Sequence, residues 1–92
     1  MCTSIEQSVP MTGSAKGATG WFTMTEAVVS YDHPTHAMLE QSVKIDFVNL
    51  GLPPGARAAV EMTKESAWAL AAAIVAVLRD ADAQDAYEAP AR

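Results

Sequence analysis

Thirteen consecutive residues, Ser66-Ala67-Trp68-Ala69-Leu70-Ala71-Ala72-Ala73-Ile74-Val75-Ala76-Val77-Leu78, carry no charge between Glu65 and Arg79. Alanine and leucine are strong helix formers, so the run predicts a helix from Lys64 to about Arg79. Thr63 is its expected N-cap, and Glu65 places a negative charge in the first turn, where it complements the helix dipole. A surface helix lying on a sheet has one apolar stripe and a charged opposite face. Here Ala67, Leu70, Ala71, Ile74 and Leu78 make the stripe, yet Trp68, Ala72, Val75 and Val77 cover the rest. One helix on one sheet buries only one side. The other side meets water, a second copy or a different protein, and the sequence points to self-association through residues 67–78, helix against helix, the alanines allowing close approach.

Size sharpens that expectation. The chain has 92 residues, of which 50% are hydrophobic and 18% charged. That makes one domain, near the lower limit of what buries an adequate core alone. The run of thirteen is too short to cross a bilayer, which takes about 20 apolar residues. Residues 1–10 show neither the basic nor the apolar region of a signal peptide. A single cysteine, Cys2, excludes an internal disulfide and suits a reducing compartment. The expected setting is the cytoplasm. The formal net charge is -5, and the six Lys and Arg are scattered singly. Nucleic acid and anionic membrane surfaces are therefore excluded as expected partners.

Ahead of the helix, the residues read as a β-meander of about four strands, so the fold class is α+β, with the helix packed on a small antiparallel sheet. Ile5, Gln7 and Val9 alternate with polar residues in a short strand that Pro10 ends. Gly13 to Gly20 reads as a flexible connection of small residues. Trp21 to Tyr31 has strand composition, but its apolar face switches from Phe22 and Met24 to Ala27, Val29 and Tyr31. A bulge near Glu26 would account for the switch. Asp32-His33-Pro34-Thr35-His36 breaks the strand, and Ala37 to Gln41 follows as a brief helix. Ser42 to Asn49 alternates cleanly, 50–55 is a turn, and Arg57 to Met62 is the last strand. Residues 1–79 form the expected domain, with 80–92 as an acidic, flexible tail.

Chemistry concentrates in the segment from Tyr31 to Glu40, which holds both histidines. A helical turn starting at Pro34 places His36 and Glu40 four apart on one face. Imidazole and carboxylate so placed bind a divalent metal or form an acid–base pair. His33, held extended by the following proline, is a third candidate ligand, and Cys2 a fourth. The candidate metal set is thus His33, His36, Glu40 and Cys2, for a first-row ion such as zinc, copper or iron. The candidate catalytic set is Asp32, His33, His36 and Lys16. Against this stand ordinary turn roles for both histidines. Lys16 sits in the glycine-rich run, the one residue there able to meet an anion by charge, but the order of residues does not match a P-loop. Two readings of other classes stand beside the site. One is an accessory subunit that binds a larger protein through its helix, and the other a binding module holding a small molecule between sheet and helix near Trp21 and Trp68.

Met1-Cys2-Thr3, Gly13-Ser14-Ala15-Lys16-Gly17 with Gly20-Trp21, Tyr31-Asp32-His33-Pro34 with His36, and Ala59 to Ala67 together resemble a family of short, uncharacterised actinobacterial proteins. The resemblance covers the chain through about Leu78. It implies no activity, and it draws attention to Lys16, Asp32, His33 and His36 as the family-like positions with reactive side chains.

Overall fold

The computed structural model describes residues 5–33, 40–53 and 56–88. Four antiparallel strands, β1 (Ile5–Gly17), β2 (Gly20–Asp32), β3 (Ser42–Val48) and β4 (Arg57–Met62), form one sheet in the order β1-β2-β3-β4. A single helix, α1 (Lys64–Glu88), follows. The fold is α+β, a meander with a C-terminal helix.

The glycine-rich run is strand rather than a flexible connection. β1 continues through Gly17 and pairs with β2 as far as Gly17 opposite Gly20, leaving only Ala18 and Thr19 in the turn. Gly20, at φ 120°, supplies the positive φ that lets a short turn rejoin the twisted strand. Pro10 does not end β1 either. On an edge strand its missing N–H removes no interior ladder bond. β3 reaches only as far as Glu26 of β2, so the far half of the hairpin projects as a two-stranded ribbon. Asn49 braces its base by donating to the Thr23 carbonyl at 2.8 Å.

The bulge lies across from its expected place. Pro10 pairs with Glu26 and Gly13 with Met24, so the extra residue is in β1. β2 therefore alternates without interruption, and its apolar residues truly change sides. Ala27, Val29 and Tyr31 share one face of the sheet, while Phe22 and Met24 point to the other.

The register defines two unlike faces. Across one run Ile5–Tyr31–Val43–Met62, Gln7–Val29–Ile45–Val60 and Val9–Ala27–Phe47–Ala58. Gln7 alone is polar in more than its hydroxyl, and no residue is charged. Across the other, Lys44 meets Glu61 at 3.9 Å and Arg57 meets Asp46 at 2.8 Å.

The helix begins where expected. Thr63 Oγ1 accepts from the Ser66 N–H at 3.0 Å, the hydrogen bond of an N-cap. Its far end differs, because α1 passes Arg79 and runs to Glu88. Ala81, Ala83, Gln84 and Ala86 are good helix formers that keep the acidic segment helical, and Gln84 bonds Glu88 one turn on at 3.3 Å. Packing differs as well. The start of α1 faces the apolar side of the sheet, where Lys64, Ala67 and Trp68 line a groove with Ile5, Tyr31 and Val43. Every residue from Trp68 to Glu88 is exposed. With no helix laid over it, the sheet has almost no core. Ala27, at 4% exposure, is the one buried apolar residue among those described. The radius of gyration is 16.3 Å, against about 12 Å for a compact domain of this length.

Candidate functional site

Among the described residues, the uncharged face of the sheet and the start of α1 together form an unfinished surface. Two adjoining open grooves run along it, of about 350 Å³ and 340 Å³. The first lies between Ile5, Tyr31 and Val43 of the sheet and Lys64, Ala67 and Trp68 of the helix. The second continues over Gln7, Val9 and Val29. Lys64 Nζ stands 5.7 Å from the centre of the Tyr31 ring, a cation–π contact at the rim of the groove. Trp68 is 76% exposed, and Leu70, Ile74, Val75, Val77 and Leu78 beyond it are exposed too. Trp21 belongs elsewhere. It pairs with Lys16 at the tip of the ribbon, ten residues along β2 from Tyr31, on the order of 30 Å. Trp21 and Trp68 do not frame one pocket.

At the opposite end of β2 from the ribbon tip lies the histidine segment. The His33 backbone N–H donates to Asp32 Oδ1 at 2.7 Å. The His33 ring reaches forward, with Nδ1 3.1 Å from the Glu40 carbonyl and 3.5 Å from Gln41 Nε2. A carbonyl only accepts, so the shorter contact requires Nδ1–H as donor, and Nε2 is then the basic nitrogen. Ser42 is fully buried, and its hydroxyl donates to the Asp32 carbonyl at 3.5 Å. Asp32, His33, Glu40 and Ser42 are thus drawn together where β2 and β3 join the intervening segment. Glu40 and Gln41 form a bend, while residues 37–39 of the expected brief helix lie outside the described residues. So do His36 and Cys2. Lys16 is not part of this cluster, being at the ribbon tip.

Among the described residues, no three His, Cys, Asp or Glu side chains are grouped closely enough to hold a metal ion. No helix among them is long and apolar enough to cross a membrane. Sequence reasoning found the charge-free helix and the histidine segment but missed the sheet face as a surface in its own right. Its signal was the matched alternation of four strands, which becomes one surface only when the register is known.

A family model matches residues 1–87, and the chain belongs to that family, a family of unknown function (DUF6295). No curated protein and no solved structure matches the chain.

Proposed function

We propose that this protein is a self-associating α+β subunit, built to complete its hydrophobic core with a second copy through the 67–78 segment of α1. The observation that carries this reading is the near-absence of a core within one chain: Ala27 alone is a buried apolar residue among those described, while six large apolar side chains of α1 between Trp68 and Leu78 stand exposed. Burying each aliphatic one contributes roughly 1.5–3 kcal/mol, and the indole more. A cytoplasmic setting and an actinobacterial origin fit the single cysteine and the alanine-rich composition. Light scattering on purified protein at micromolar concentration tests the proposal. The expected mass is a multiple of 9.7 kDa. A monomer that stays folded with Trp68 in water overturns it and favours an accessory subunit that needs a foreign partner.

A metal or acid–base site on the Asp32 to His36 segment is the second reading. Its support is the His33 ring, whose Nδ1 contact with the Glu40 carbonyl has the form that orients ligating imidazoles, the other nitrogen bearing the lone pair. His36, Glu40 and Cys2 would complete the donor set for zinc, copper or iron. Elemental analysis of untagged protein incubated with each metal is expected to give stoichiometric binding, lost in His33→Ala and on acidification, since a protonated ring cannot ligate. Background metal in every sample reduces His33 to a clip between the ends of the intervening segment.

A further inference from the structure

The proposed self-association leaves open what lies on the sheet. We infer that the uncharged sheet face is the seat of the partner copy's α1, so that two chains exchange helices and form a sheet–helix–helix–sheet sandwich. The inference rests on the self-association reading and adds to it a defined occupant for the sheet.

Three observations carry it. The first is the surface a single chain leaves bare. A compact monomer of 9.7 kDa exposes about 5100 Å², whereas this chain exposes 7285 Å². The excess, about 2200 Å² per chain, is shared by the ribbon, the charged end of α1 and the apolar surfaces, and an obligate dimer, which buries roughly 2000–5000 Å² over both partners, would remove the apolar share. A helix-to-helix contact alone, with both sheets left wet, would use only part of it.

The second is the all-round apolarity of residues 66–78. A helix at the outside of a sandwich needs one apolar side. A helix in a middle layer needs two, one for a sheet and one for the neighbouring helix. Charge returns at Arg79, Asp80, Asp82 and Asp85. The charge-free run spans about 20 Å at 1.5 Å per residue, close to the roughly 23 Å length of β3 at about 3.3 Å per residue. The uncharged segment thus has the length of the uncharged face, and the charged remainder extends past its end.

The third is direction. The chain's own α1 is exposed from Trp68 onward, and on the sheet face Val60 is 44% exposed while Val29 and Ile45 are half-buried. A second copy related by a two-fold axis brings an identical helix to that face and offers its own face in return. The one charge beside the contact is Lys64, at the rim of the groove over Tyr31.

Isotope-filtered NMR on a sample mixed from labelled and unlabelled chains tests the arrangement. Intermolecular cross-peaks are expected between the methyls of Ile74, Val77 or Leu78 and those of Val29, Ile45 or Val60. Methyl cross-peaks between the same sets that occur only within one chain would show each helix folded back on its own sheet, overturning the exchange. A dimer whose intermolecular cross-peaks join helix to helix alone also overturns it, while leaving self-association standing. A folded monomer removes both. A Val77→Asp variant, compared by light scattering, is expected to lose the dimer mass at concentrations where the parent chain holds it. An unchanged mass would place Val77 outside the interface and sink the sandwich.

Discussion

The two faces of the sheet are built from the same four strands and finished in different ways. On one, Lys44 pairs with Glu61, and Arg57 sends both Nε and Nη2 to Asp46 Oδ1. These are cross-strand partners at a wet surface, each worth no more than about 1 kcal/mol. On the other, Val29, Ile45 and Val60 stand abreast without a charge, the first two half-buried and Val60 exposed. Propensity cannot separate the faces, since each strand contributes alternate residues to both. The difference is what each face was selected to meet. One is complete in water, and under the proposed self-association the other is half of a core.

That contrast gives the largest expected effect. Ile45→Asp places a carboxylate at the centre of the uncharged face. In an assembled core it is expected to cost more than about 3 kcal/mol, because an unpaired charge would lose its water. On a face that stays wet the same change would cost under about 1 kcal/mol. Arg57→Ala, on the opposite face, should lower stability by about 0–1 kcal/mol. Urea denaturation of the three proteins at equal concentration distinguishes the outcomes. Equal, small losses for both variants would erase the distinction between the faces.

How much of this was legible in advance depends on whether a feature is local or paired. β3, β4 and the start of α1 are local: Val43, Ile45 and Phe47 alternate strictly, and Thr63 sits one residue before its helix. The ribbon is not local. Gly13 to Gly17 has no strand signature of its own and becomes strand by pairing with Gly20 to Met24. The bulge was detectable from β2, where apolar residues change sides, but nothing in β2 says that the extra residue lies in β1. α1 outruns the expected end at Arg79 because alanine and glutamine sustain a helix regardless of net charge, a property that acidic composition does not display. Of the histidine segment, the joining of His33 to Glu40 follows from strand register rather than from the helical spacing of His36 and Glu40.

Gly13 offers an intermediate effect on the sheet edge. Its φ is 157°, and a Cβ there would stand 2.9 Å from the Met24 methyl carbon. The methyl can swing aside, so backbone strain is the larger part. Gly13→Ala is expected to cost about 1 kcal/mol or somewhat more, read as a lower urea midpoint. Amide exchange should quicken in the ribbon and stay unchanged in β3 and β4. Uniform exchange throughout would mean that ribbon and sheet unfold as one unit.

Thr63→Ala removes the side-chain acceptor for the Ser66 N–H. The expected loss is about 1 kcal/mol, and Thr63→Ser should restore most of it. Because Thr63 joins β4 to α1, the loss should appear in the stability of the assembly as well as in helix content. A helix-content loss with unchanged assembly would separate the helix start from the interface.

The smallest effect is expected from the far half of α1, the helical counterpart of the wet sheet face. Residues 66–78 have no charge, whereas 79–88 carry Arg79, Asp80, Asp82, Asp85 and Glu88. Tyr87 is 91% exposed, and neither groove is lined by a residue beyond Trp68. With no basic residue in the last turn to offset the helix dipole, the acidic end works mildly against its own helix. Placing a stop after Asp80 should therefore leave assembly mass unchanged and shift the urea midpoint only within about 0.5 kcal/mol. Helix content should fall in proportion to the residues removed. If the truncated chain loses its dimer or a larger share of its stability, the acidic half docks on something, and the functional unit extends past Arg79. If both are retained, residues 67–78 carry the association by themselves, and the charged end of α1 is as finished a solvent surface as the Lys44 to Arg57 face.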